Sequence, residues 1–131
     1  QMIAEQKRLH SSSGLMRKSN SPFGLIILPS RELTEQVGKV AQELASLTNV
    51  GIATMVGGIP KHFTHSGIDL VVTTIGLVES HLNRGIYKLN SLNHIVLDEA
   101  DTLLDDTFSY EVIALLENLN VRNVLLLFSF I

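Results

Sequence analysis

The run His94-Ile95-Val96-Leu97-Asp98-Glu99-Ala100-Asp101 constrains this chain more than any other stretch: an apolar strand aimed into three carboxylates. Continuous apolar runs mark parallel strands covered on both faces, and the carboxyl ends of such strands are where α/β folds bind ligands. Three acids within four positions repel one another unless a cation sits among them, and a hydrated Mg²⁺ suits their oxygens. A helix N-terminus also gathers acids to complement its dipole. That explanation covers one or two of the acids and leaves the apolar strand unexplained.

The rest of the chain repeats the strand–helix pattern. Gln1 to His10 has helical composition, and the Ser11–Gly14 and Ser19–Pro22 stretches bracket a basic, flexible connection. Phe23–Leu28, bounded by Pro22 and Pro29, reads as a buried strand. A helix begins at Ser30, its expected N-cap, and Leu33, Val37, Val40, Ala41, Leu44 and Leu47 recur at helical spacing as its core stripe. Val50–Val56 is a second strand closed by Gly57-Gly58, residues 60–66 a turn or short helix, and Asp69–Thr73 a third strand. Thr74 is then expected to cap a helix over residues 75–83. Asn93–Leu97 is the fourth strand, Ser109–Leu119 a helix, and Asn123–Phe128 the fifth strand. Strands alternating with helices in this way predict an α/β fold, a three-layer parallel sheet with helices on both faces.

At 131 residues the chain is one domain or part of one. It has no cysteine, which excludes disulfides and thiolate metal sites. No apolar run reaches the length of a membrane span, and the start lacks the pattern of a signal peptide. The net charge of −3 argues against a protein-wide basic field for nucleic acid. Its distribution is uneven: residues 1–22 carry four basic residues against one acid, and residues 95–131 seven acids against Arg122. A polyanion can be held early in the chain, whereas the late part faces a phosphate only through metal ions.

In a doubly wound sheet the loops following the strands collect at one edge. Here they hold Pro29-Ser30-Arg31-Glu32, Gly57-Gly58, Thr73-Thr74-Ile75-Gly76, Asp98-Glu99-Ala100-Asp101 and Ser129. Together they supply a guanidinium, small hydroxyls, glycines that permit close backbone approach, and an acidic cluster. Helix N-termini after Pro29 and Thr74 offer free N–H groups to phosphates. The set suits a nucleic-acid strand gripped by its backbone beside a metal-bound nucleotide.

Pro29-Ser30-Arg31-Glu32-Leu33, Gly57-Gly58, Thr74-Ile75-Gly76 and Asp98-Glu99-Ala100-Asp101 resemble, in order and in context, successive motifs of the DEAD-box RNA helicases. The resemblance spans about Phe23 to Ser129. It implies a RecA-like domain of the P-loop NTPase type, with ATP and Mg²⁺ as cofactors and RNA as partner. By that resemblance Asp98 positions Mg²⁺ through water, Glu99 orients the water attacking the γ-phosphate, and Asp101 and Ser129 couple this site to neighbouring motifs. Pro29, Arg31, Gly57, Gly58, Thr74 and Gly76 line the RNA path through phosphates and riboses, giving little sequence specificity.

Several positions depart from the family pattern. Ile75 and Leu77 replace the proline and arginine that flank the third motif's glycine, and Phe130-Ile131 follows Ser129 where the family has Ala-Thr. No Gly-x-x-x-x-Gly-Lys-Thr loop occurs in these residues, nor does a second RecA-like domain with its arginine finger. The expectation is therefore an incomplete RecA-like sheet lacking the phosphate-loop strand: residues 1–22 form a helix tail and basic loop, and residues 23–131 a partial helicase ATP-binding domain. Alone it is expected to be unstable and unable to bind ATP. The alternative is a catalytically inactive RNA- or partner-binding module. Thr102–Asp105 and Leu77 look most like a mitochondrial member; nucleus and cytoplasm are the other compartments.

The plainer readings are these. His62 and His65 lack an acidic or thiol partner and read as surface residues. His94 reads as a satisfied polar residue and Asp105-Asp106 as an exposed turn. Arg31 has Glu35 one turn away as a simple ion-pair partner. Ser30 and Ser129 lack a neighbouring base, which disfavours acyl transfer.

Overall fold

A computed structural model describes residues 1–12, 21–57, 67–105, 107–119 and 123–128. In chain order the elements are α1 (Met2–Ser12), β1 (Gly24–Leu28), α2 (Arg31–Ala45), β2 (Ile52–Met55) and β3 (Leu70–Thr74). They continue with α3 (Ile75–Asn83), β4 (His94–Leu97), α4 (Ala100–Leu103), α5 (Ser109–Glu117) and β5 (Asn123–Leu126). The strands form one sheet in the order β2-β3-β1-β4-β5, and every neighbouring pair is parallel. This is the expected α/β architecture.

The register divides the sheet into two faces. Leu25, Ile27, Val71, Ile95 and Leu97 lie on one face, where Ile75 and Val78 of α3 and Val112 of α5 pack against them to form the buried core. On the opposite face α2 covers β2, β3 and β1. Gly38 there lies so close to Thr54 of β2 that a Cβ would overlap its side chain.

That close approach corrects the expected stripe of α2. The helix turns Thr34 and Gly38 into the sheet, and Val40, Leu44 and Leu47 face solvent, with Leu47 82% exposed. Small residues let the backbone come near the strand, so the periodic large residues lie off the contact line. Ile113, counted among the apolar residues of α5, is also exposed.

α1 crosses the end of the sheet opposite the strand carboxyl termini. Lys7 Nζ donates to Asp69 Oδ2 at 2.9 Å and to the Asn49 carbonyl at 2.8 Å. Asp69, fully buried, also accepts the Gly51 N–H at 2.7 Å. One carboxylate thus ties α1 to the starts of β2 and β3.

β5 forms one edge of the sheet. Val124, Leu125, Leu126, Leu127 and Phe128 are all 40–52% exposed. Consecutive strand residues point to alternate faces, so β5 is bare on both. The other edge strand, β2, has Ala53 and Met55 buried. The bare β5 edge matches a sheet that is part of a larger one. No helix among the described residues is long and apolar enough to cross a membrane.

Candidate functional site

The parallel register brings the strand carboxyl ends to one edge. Leu28 lies beside Thr74, Met55 beside Thr73, and Leu97 beside both Ile27 and Leu126. The loops that follow therefore line up as Gly57, then Thr74–Gly76, then Pro29–Arg31, then Asp98–Asp101. At about 4.8 Å per strand, the row from β2 to β4 spans roughly 14 Å. The glycine, hydroxyl and guanidinium groups occupy the β2-β3-β1 part, and the carboxylates stand alongside at β4. Gly58 and Ser129, also expected here, lie outside the described residues, as do residues 60–66, His62, His65 and Asp106.

At β1, Ser30 is the N-cap of α2 as expected: extended at φ −136° and ψ 154°, with Oγ accepting the Leu33 N–H at 3.3 Å. Thr34 Oγ1 donates to the Ser30 carbonyl at 2.8 Å and fixes the same turn. Arg31 follows, exposed, and its Nε donates to Glu35 Oε1 at 3.1 Å. An exposed pair of this spacing contributes about 0.3 kcal/mol. It orients Arg31 without withdrawing it from an anionic ligand.

At β3, Thr73 is buried and its Oγ1 donates to the Met55 carbonyl at 3.0 Å, linking β3 to β2. Thr74 is the N-cap residue of α3 over Ile75–Asn83 as expected, although its side chain makes no capping bond. Its hydroxyl is available to a ligand. Gly76 is exposed in the first turn of α3, and among the described residues a Cβ there would meet nothing within 4 Å; the same holds for Gly57. Neither has a positive φ. Among the described residues nothing demands glycine at either place, and both leave room for a close approach from outside.

At β4, the acidic turn is anchored by backbone. Asp98 N–H donates to the Ile27 carbonyl at 3.0 Å, and Ala100 N–H to the Leu127 carbonyl at 2.7 Å. Asp98 Oδ1 accepts the Glu99 N–H at 2.9 Å. Glu99 sits in the left-handed region at φ 53° and ψ 51°, the single non-glycine residue with positive φ among those described. Such a conformation costs about 1–3 kcal/mol and recurs at functional sites. Its carbonyl accepts the N–H groups of Thr102 and Leu103, starting α4.

The three carboxylates do not close around a common centre. Asp98 and Glu99 are half-buried, Asp101 is exposed on α4, and no group of three potential ligands among the described residues is placed to hold a metal. Asp98, the residue expected to position Mg²⁺ through water, is half-buried with Oδ1 committed to the Glu99 N–H. The strained Glu99 and the Ala100–Leu127 bond had no sequence signal. Nothing in a glutamate's side chain marks a left-handed backbone.

A family model described as DEAD/DEAH box helicase matches residues 2–129. The Mus musculus protein "Probable ATP-dependent RNA helicase DDX28" is 37% identical over 109 residues, covering 79% of this chain and 20% of that protein. The Homo sapiens "ATP-dependent RNA helicase DDX50" is 36% identical over 110 residues, covering 81% of this chain and 15% of that protein. This chain thus spans a fifth or less of these relatives' lengths. Among solved structures, S. cerevisiae Dbp5 bound to Gle1 and IP6 matches with a TM-score of 0.72 at 29% identity over 86% of this chain and 29% of that one. The yeast DEAD-box splicing factor Prp28 matches in fold, with a TM-score of 0.72 at 24% identity over 98% of this chain and 34% of that one.

Proposed function

The chain belongs to the DEAD/DEAH box helicase family, and from that premise we propose that it serves in an RNA-dependent ATPase that unwinds or remodels short RNA duplexes. The observation that carries this reading is the row of loops at one sheet edge, with ligand-approach glycines beside an anchored acidic turn.

In this reading Pro29, Arg31, Gly57, Gly58, Thr74 and Gly76 hold the RNA backbone. Gly57 and Gly76 let phosphates approach, Thr74 offers its hydroxyl, and Arg31 supplies charge. Backbone contacts give weak base preference and an affinity that falls with salt. Ile75 is buried in the core and Leu77 half-buried, so neither adds a charged contact where the family has Pro and Arg.

A Mg²⁺ bound beside Asp98 would supply neutralisation of phosphate charge. One carboxylate with retained waters suits this ion, and Asp98 fits that role because Oδ1 is fixed by the Glu99 N–H and Oδ2 is left for water. Glu99 would accept a hydrogen bond from the attacking water and so orient it toward the γ-phosphate. Asp101, exposed on α4, and Ser129 pass the state of this turn to neighbouring motifs. These 131 residues contain no phosphate loop, so the principal grip on ATP does not come from them. The division into a leading segment, residues 1–22, and a partial ATP-binding domain, residues 23–131, belongs to the same proposal, as do the second RecA-like domain as partner and a mitochondrial location.

A second reading, an inactive RNA- or partner-binding module, is favoured by Ile75 and Leu77 where the family has Pro and Arg and by Phe130-Ile131 after Ser129. ATP hydrolysis by the full-length protein, measured with and without single-stranded RNA, separates the two. Stimulated hydrolysis supports the first reading, and RNA binding without hydrolysis supports the second.

A further inference from the structure

On the face opposite α2, a groove of about 580 Å³ runs between α3 and α5. Val78 and Leu82 of α3 and Leu115 and Leu119 at α5 and its end supply its apolar lining. Tyr110, 82% exposed, stands on its border. A tyrosine left in water at an apolar groove is a residue type enriched at the energetic centres of interfaces.

The groove has a definite sign of charge. Glu79 and Glu111 line it from opposite helices and are both exposed. α3 and α5 together carry Glu79, Glu111 and Glu117 and neither a lysine nor an arginine. Lys88, on the loop after α3, is the single cation lining it among the described residues. Acids on both borders repel a phosphate backbone, so this face is distinct from the edge assigned to RNA.

We propose that the α3–α5 groove docks a basic amphipathic helix of a partner protein, whose apolar stripe enters the groove and whose flanking lysines or arginines meet Glu79 and Glu111. A helix laid in an apolar groove anchors through residues at i, i+3, i+4 and i+7. Charge on the border sets orientation and speeds encounter. Ile75 and Val78 place the groove beneath the helix that carries Gly76, so docking there acts on the helix that holds RNA.

The test uses full-length protein and a fluorescein-labelled leucine–lysine peptide of about 14 residues, roughly four helical turns, read by anisotropy. The peptide is expected to bind, and its leucine–glutamate counterpart is not. The double variant Glu79→Lys/Glu111→Lys, altered at exposed positions only, is expected to weaken binding at least about tenfold, equivalent to about 1.4 kcal/mol. Ala114→Trp, which fills the groove without changing charge, is expected to weaken it similarly. Unchanged affinity in both variants overturns the proposal. Displacement of the peptide by single-stranded RNA also overturns it, because RNA is then the occupant.

Discussion

The N–H of Ala100 donates to the carbonyl of Leu127 at 2.7 Å, and the N–H of Leu127 donates to the carbonyl of Leu97 at 2.9 Å. The acidic turn after β4 is thereby pinned to the end of β5, the most exposed strand of the sheet. The chemistry assigned to Asp98 and Glu99 depends on an edge that these residues leave uncovered.

The first expectation concerns that edge. Five half-exposed apolar side chains from Val124 to Phe128 each forgo about 1 kcal/mol of burial. The sum, about 5 kcal/mol, is comparable to the whole stability of a small domain. An uncharged, unprotected edge strand also invites pairing with other chains. The isolated 131 residues are expected to self-associate and to lack a cooperative thermal transition, and Leu125→Lys is expected to reduce association. Light scattering and calorimetry check this; a monodisperse sample melting cooperatively would contradict it.

A second expectation concerns Lys7 and Asp69. Removing one partner of a buried pair strands the other charge and costs about 3–5 kcal/mol; Lys7 keeps some water contact, which lowers the figure. In the full-length protein Lys7→Met is expected to cost about 2 kcal/mol in denaturant unfolding. Adding Asp69→Asn should recover part of the loss, since the amide oxygen still accepts from Gly51. If Lys7→Met leaves stability unchanged, the pair does not hold α1.

Glu99 separates strain from chemistry. Glycine adopts φ 53° freely and alanine does not. Glu99→Gly is expected to be about 1 kcal/mol more stable than Glu99→Ala, with both equally slow in ATP hydrolysis. Equal stability of the two would show that the turn relaxes out of the left-handed region.

Acid sensitivity follows from His81. The ring is buried, its Nδ1 lies 3.3 Å from the Tyr87 hydroxyl, and burial together with the nearby Arg84 charge lowers its pKa below 6.5. Burial lowers His94 as well. The unfolded chain binds the proton first, so stability is full above pH 6.5 and is lost as pH falls from there through the folded pKa. His81→Phe is expected to flatten that loss; a profile as steep as that of the parent would assign it to other groups.

Gly76→Ala tests the RNA edge. Its Cβ meets no atom of the described residues within 4 Å, so stability should hold or rise slightly, while affinity for single-stranded RNA falls. Unchanged RNA affinity would remove Gly76 from the path.

The sheet was legible because buried parallel strands announce themselves as apolar runs, and Phe23–Leu28 and Asn93–Leu97 correspond to β1 and β4 with ends shifted by one residue. The inward face of α2 was not legible. Helical periodicity marks where large apolar residues lie, but close approach to Thr54 is won by Gly38, which periodicity ignores. The site residues were legible as motifs, whereas their anchoring was not. The Ala100–Leu127 bond is made between backbones, and the left-handed Glu99 is set by the turn it closes.

The central claim is that the turn at Asp98–Glu99 performs ATP hydrolysis in answer to RNA. The most direct measurement is steady-state ATP hydrolysis by the full-length protein and by its Glu99→Gln variant, each with and without single-stranded RNA. The account predicts RNA-stimulated hydrolysis that falls at least about a hundredfold in the variant while RNA binding persists. Hydrolysis intact in Glu99→Gln, or absent from the parent with RNA present, would contradict it.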